Sequence, residues 1–355
     1  NNTALTELGC GYNDLTALDV SNNTALTKLG CGSNDLDSLD VSNNPALTKL
    51  TCGGNQLTSL DVSNNTAIDT LYCNSNDLDS LDVSNNPALT HLDCRSNYLT
   101  SLDVSNNPAL IWLSCFYNQL TALDVSNNTA LTTLSCWQNQ LTWLDMSNNT
   151  NLEHLVCGYN QLIYLNMKNV VIDTSLGFWA EENSLDCIEV NAEYIDWATE
   201  NWTYENGDID EGVEFSALCM PEGYTYVPDD NFEQALIDLT YDDVLNDFVL
   251  TENISDVTSM DISNYQNEED YVSDLTGIGG FTALTYLDCS YNQLTSLNLS
   301  ANTALDTLNC RSNSLTSLDV SANTALAYLN CRSNSLTSLE LIDSADVSYT
   351  NTTLV

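Results

Sequence analysis

The chain has 355 residues, with 50 acidic residues against six basic ones and a formal net charge of -44. A surface of that sign repels nucleic acid and anionic membranes and attracts divalent cations. No apolar run approaches the roughly 20 residues of a membrane span, and the length permits two or more cores.

From Leu5 the chain falls into a 21-residue repeat of two similar halves, Leu5 to Asn13 and Leu15 to Asn23, both reading L-x-x-L-x-(C or V)-x-x-N. The period shows in Cys10, Cys31, Cys52, Cys73, Cys94, Cys115, Cys136 and Cys157, and after a gap in Cys289, Cys310 and Cys331. Self-similarity at this spacing, with Leu and Asn locked to it, predicts a leucine-rich repeat solenoid. It should be β-rich, with short parallel strands on two sides of each coil, and its coils must stack because none can bury its apolar edge alone. Period-two geometry turns Leu8, Cys10, Leu18 and Val20 inward and Glu7, Gly9, Gly11, Ala17, Asp19 and Ser21 outward. Two asparagine ladders, Asn13 to Asn160 and Asn23 to Asn149, fall where the coil must turn. An amide that both donates and accepts suits a corner bridged to the next backbone.

Stacking puts the ladder cysteines ~4.8 Å apart at Cα. Their parallel Cβ vectors disfavour bridging, so these residues read as buried thiols acting as small hydrophobes. Cys187 and Cys219 stand outside the ladder, and a bridge between them would suit an exported protein.

The first array occupies residues 1–167 and opens on Asn1-Asn2-Thr3-Ala4, the tail of a repeat, which suggests a segment of a longer protein. Residues 168–222 are irregular, acidic and aromatic, with Trp179, Trp197 and Trp202, and read as a terminal cap whose tryptophans cover the last coil. Residues 223–283 read as the helical cap of a second solenoid, in which Asp230 and Glu233 form a capping box and Phe232, Leu236 and Leu239 share one helix face. An acidic insert spans Asn267 to Asp270, three regular repeats fill 284–342, and 343–355 is an unassigned tail.

The motifs L-T-x-L-x-C-x-x-N-x-L-T-x-L-D-V-S-x-N-T-A and Y-V-P-D-D-N-F-E-Q-A-L-I-D-L resemble the leucine-rich repeat domains of secreted or surface proteins of Bacteroidota. The resemblance implies recognition scaffolds at the cell surface or outside it. It also implies an order of helical cap, repeats and terminal cap, so the order seen here points to two solenoids in tandem. Such bacteria modify Ser or Thr after Asp, and Asp37-Ser38-Leu39, Asp69-Thr70-Leu71, Asp79-Ser80-Leu81, Asp306-Thr307-Leu308 and Asp343-Ser344-Ala345 fit that short pattern.

The repeats can be compared with one another. The Asp-Val-Ser side barely changes, whereas outward places on the cysteine side hold Lys28, Lys49, Tyr72, His91, Asp93, Arg95, Trp112, Phe116, Tyr117, Trp137, His154 and Tyr159, with Arg311 and Arg332 in the second array. Five of the six cations and both histidines fall on this strip, and only Lys168 lies elsewhere. Arg and rigid aromatics are good binding anchors, which marks the strip as the candidate ligand face. On the other side, stacked Asp61, Asp82 and Asp103 should repel one another and rise in pKa unless hydrogen bonds compensate. Loosely bound calcium is the one cofactor they suggest.

Ladder cysteines point inward and His91 and His154 outward, so no Cys–His pair forms, and no metalloprotease, nucleophile-elbow or phosphate-loop motif is present. The sequence therefore reads as a non-enzymatic recognition or adhesion module for a polysaccharide or surface protein. It is expected to lack nucleic-acid binding and direct membrane insertion, with self-association through array ends as a further expectation. The competing reading is a rigid acidic spacer or filament segment with no specific ligand.

Overall fold

The computed structural model describes residues 2–264 and 270–341 and the backbone of 353–354. Most of the acidic insert and of the tail, including Asp343-Ser344-Ala345, lies outside the described residues. The chain separates into two compact units, Asn1–Pro221 and Glu222–Val355.

The first unit is a parallel solenoid. Nine three-residue strands, from Glu7–Gly9 to Gly177–Trp179, pair in register, each with the strand one coil on. Alternation places Leu29, Leu50 and Leu71, and then Cys31, Cys52 and Cys73, wholly inside. Cys10 on the end coil is only half-buried, because it has a neighbour on one side alone.

The expected second strand of each coil is present only in part. A four-stranded sheet joins Trp143–Asp145, Tyr164–Asn166, Cys187–Glu189 and Glu214–Ser216, while in earlier coils the same positions form no strand. In the paired coils of this unit Trp143 stacks on Tyr164 at 4.3 Å, where earlier coils hold Ala17, Ser38 and Ser59.

Corners are built by the asparagines. Asn97 Nδ2 donates to the carbonyls of Cys94 (2.9 Å) and Cys73 (3.2 Å), and its Oδ1 accepts from Leu78 N at 3.1 Å. The residue before each such Asn adopts a left-handed backbone, as in Ser75 (φ 55°), Ser96 (φ 54°) and Tyr117 (φ 54°). Tyr117 and Tyr159 therefore belong to corners rather than strands. In the second ladder Asn107 Nδ2 donates to Val83 and Asn86 carbonyls, but its buried Oδ1 has no partner.

The array does not fade after Asn166, as the sequence suggested. Gly177–Trp179 forms a ninth rung, Ala180 takes the cysteine place, and Asn183 Nδ2 donates to Ala180 and Cys157 carbonyls as a corner asparagine does. This coil is read late because Ala replaces Cys and the step from Asn160 to Asn183 is two residues too long. The cap follows it, with a helix at Ile195–Asn201 and a bridge joining Cys187 to Cys219, their Cα atoms 5.7 Å apart. Buried Glu189 ties that end together, accepting from Tyr164 Oη (2.9 Å) and Cys219 N (3.1 Å) and pairing with Lys168. Trp202 covers the last coil as expected, stacked on Phe178 at 4.1 Å, but Trp179 faces outward on the ninth strand and is 43% exposed.

In the second unit an antiparallel pair, Tyr224–Tyr226 with Phe248–Leu250, flanks the helix Asp230–Asp238. Its cap is Asp229 and not Asp230: Asp229 Oδ1 accepts from Phe232 N at 3.0 Å, and Oδ2 takes the backbone amides of Ser273 and Asp274. Glu233 is thereby free of capping and turns inward, accepting from the amides of Asn246 (2.9 Å), Asp247 (3.1 Å) and Phe248 (3.2 Å). Phe232 and Leu236 are buried as their spacing predicts. Parallel strands Ser259–Asp261, Tyr286–Asp288, Thr307–Asn309 and Tyr328–Asn330 follow, joined by Thr353–Leu354, with Ser317–Asp319 and Ser338–Glu340 paired on the other side.

Candidate ligand-binding face

The outward positions of the nine-stranded sheet form three columns. One runs Lys28, Lys49, Thr70, His91, Trp112, Thr133 and His154; the middle one runs Tyr72, Asp93, Ser114, Ser135, Val156 and Trp179. The third lies just past the strands, at Arg95, Phe116 and Trp137.

Most of the predicted residues come together. Lys49 Nζ lies 5.3 Å from the Tyr72 ring centre, and Trp112 lies 6.2 Å from Tyr72 and 6.4 Å from His91. In the next run Arg95 sits 5.3 Å over Phe116, and Trp137 is flanked by Tyr117 at 4.8 Å and Tyr159 at 5.2 Å, both edge-on. Edge-to-face pairs hold rings in place beyond what burial alone provides, so this patch is preorganised. Lys28 stands apart, paired with Glu7 at 2.8 Å, and His154 lies against Gly177, where a Cβ would sit 2.4 Å from its Nδ1.

The rings have a consequence for the middle column. Asp93 was expected outward and open, yet it is 6% exposed, and Ser114 is 1% exposed with no partner for its Oγ. Burial raises the Asp93 pKa, against the pull of Arg95, whose Nε lies 3.4 Å from Asp93 Oδ2. The patch therefore has aromatic walls and a polar floor. Arg311 and Arg332 lie on the second unit, Arg311 5.3 Å over Tyr291 and Arg332 exposed. Nearby, Asp288 accepts from Ser290 Oγ (2.6 Å) and Asn309 Nδ2 (2.8 Å).

The sequence reading missed Trp179 as a member of this face; the corner residue Asn183 was the signal that a ninth rung was present.

On the Asp-Ser side the carboxylates are fixed by their own turns: Asp61, Asp82 and Asp103 each accept from the backbone amide two residues on, at 2.9 Å. Hydrogen bonds from Ser63, Ser84 and Ser105, hydroxyl first and amide second, hold these carboxyls below the usual range. Stacked repulsion does not win. In the second unit Asp230, Glu233 and Asp247 bring one carboxylate oxygen each within 4.8 Å of one another. Burial, the largest influence, raises Glu233 to about 7. Its two oxygens are engaged by loop amides, so its evident work is closing that loop.

No protein-family model matches the chain. Internalin J of Listeria monocytogenes serotype 4b is 36% identical over 77 residues, 22% of this chain and 8% of that protein. The solved functional domain of InlJ from Listeria monocytogenes, which includes a cysteine ladder, superposes with a TM-score of 0.50 at 32% identity, covering 93% of this chain and 58% of that one. A leucine-rich repeat protein of Leptospira interrogans gives 0.48 at 19% identity, over 96% of this chain and 85% of the other. The chain thus spans a small part of the curated relative and little more than half of the solved domain. With its 21-residue period, parallel coils and buried thiol column, the chain is a leucine-rich repeat protein with a cysteine ladder, similar to the internalins.

Proposed function

We propose that the chain is a non-enzymatic recognition module that acts outside the cell or at its surface and binds a partner through the cysteine-strand face. Leucine-rich repeat solenoids are in general recognition scaffolds, and a protein or polysaccharide partner suits a face that combines fixed aromatics with cations and a polar floor. Among the described residues no helix is long and apolar enough to cross a membrane. The observation that carries the reading is the sorting of each array: five of six cations stand at cysteine-strand positions of their own unit, in the first unit beside two runs of rings, while the other side of the coils repeats Asp and Ser. Calcium association with Asp61, Asp82 and Asp103 is diffuse in this reading and serves solubility rather than recognition.

The test is a binding screen of surface proteins and glycans against the full chain, followed by paired variants. Trp112→Ala with Trp137→Ala should weaken the partner found by about 2–4 kcal/mol, as anchor truncations do. Asp61→Ala with Asp82→Ala should alter only the salt dependence of association. Equal losses from both sides, or no partner in a broad screen, would favour a rigid acidic spacer.

A further inference from the structure

A second site, carried by other observations than the strand-face reading and sharing only Trp179 with that face, lies where the ninth strand meets the terminal cap of the first unit. A cleft of about 500 Å³, open to solvent on one side, is lined by Trp179, Trp197 and Trp202 together with Asn201, Asn206 and Asp208. Its floor is rigid: Trp202 is 4% exposed, stacked on Phe178 at 4.1 Å, with Trp197 set edge-on to it at 5.8 Å and 89°. One wall is Trp179, whose six-membered ring lies along Gly177; a Cβ there would stand 2.4 Å from His154 Nδ1 and 3.1 Å from Trp179 Cζ3, so the glycine makes room for both rings.

The polar rim is rich in acceptors. Asn201 Nδ2 donates to the Trp197 carbonyl (2.8 Å) and Asn206 Nδ2 to the Asn201 carbonyl (3.2 Å), which leaves both amide oxygens, and one N–H of each amide, for a ligand. Asp208 Oδ2 accepts from Thr203 N at 3.2 Å, and Oδ1 remains for a ligand. The lining also holds the Asp173 carboxylate and the Thr174 hydroxyl and no Lys or Arg, and His154 lies behind Gly177. A ligand here must present a flat apolar face to indole rings and several donors to acceptors spread over three residues. A pyranose ring does both: its C–H face packs on the indole and its hydroxyls donate around the rim. An anion meets no cation here, and a compact ammonium would engage the carboxylate while leaving the spread amide oxygens unmet.

We infer that this cap cleft binds an uncharged, hydroxyl-rich sugar, held between Trp179 and Trp197 and hydrogen-bonded to Asn201, Asn206 and Asp208. The full chain is titrated with linear oligosaccharides of glucose, mannose and galactose, and with tetramethylammonium chloride, and binding is followed by calorimetry and tryptophan fluorescence. At least one neutral oligosaccharide should bind, and Trp179→Ala and Trp197→Phe should each weaken it about tenfold or more with far-ultraviolet circular dichroism unchanged. Asp208→Asn should weaken it less, because an acceptor remains. Trp112→Ala with Trp137→Ala should leave this affinity intact even if they abolish strand-face binding, so the two sites fail separately. The inference is overturned if none of the sugars binds at ~10 mM, the weak limit of useful affinity, or if binding survives loss of both Trp179 and Trp197. Tetramethylammonium binding that depends on Trp179, with none for the sugars, would also overturn it in favour of a cation cage.

Discussion

Asn97 donates to the carbonyl of Cys73 in the preceding coil at 3.2 Å while its oxygen accepts from Leu78, so one side chain both closes a turn and fastens two coils. The side chain of Asn107, at the other corner, donates only to the preceding coil, to the carbonyls of Val83 and Asn86, and leaves its oxygen without a partner. Asn97→Ala should therefore cost about 2–4 kcal/mol, since it orphans buried backbone groups on two coils, and Asn107→Ala roughly half of that. Urea unfolding of each variant measures the difference; equal costs would mean that the oxygen of Asn97 adds nothing.

Thiol reactivity should divide the cysteine column by position. Burial raises the pKa of Cys31 to about 12 and that of Cys52, Cys73 and Cys94 well above their ordinary value, so those thiols are both covered and protonated at neutral pH. Cys10 and Cys331, which are only half-buried, should react in the native protein, and the other ladder cysteines only after denaturation. Mass spectrometry after brief native alkylation reads this directly, and modification of Cys73 or Cys94 would refute the inward column.

Glu233 should titrate near 7 rather than in the usual carboxylate range, because burial outweighs the amides of Asn246 and Asp247. For an acid whose folded pKa is raised, the contribution to stability is complete below the unfolded value and is lost as pH rises through about 7. Carbon-13 chemical shifts of the Glu233 carboxyl give the midpoint, and amide exchange at Phe248 should quicken as the pH passes it. An unshifted midpoint, with pH-independent exchange protection at Phe248, would contradict the account.

The period made the solenoid, its inward column and its corners readable, because Leu, Cys and Asn recur wherever packing or turning demands them. The ninth coil was hidden by Ala180 in the cysteine place and by two extra residues before Asn183. Alternation places Asp93 and Ser114 outward, yet both are buried; their neighbours in register come from adjacent coils, 21 residues away, a relation that alternation alone does not carry. The cap cleft draws on Trp179 from a strand and Trp197 from a helix, and only folding brings them together.

Every bond of the corner residue Asn97 ends within its own coil or one of the two coils beside it. A gene that copies or deletes 21 codons within the array thus gives each Asn a chemically identical partner at the new junction, and no joint has to be reinvented. Recombination can then lengthen, shorten or shuffle the strip of outward residues while the scaffold stays the same, so its recognition surface can change quickly under selection without a corresponding loss of foldability.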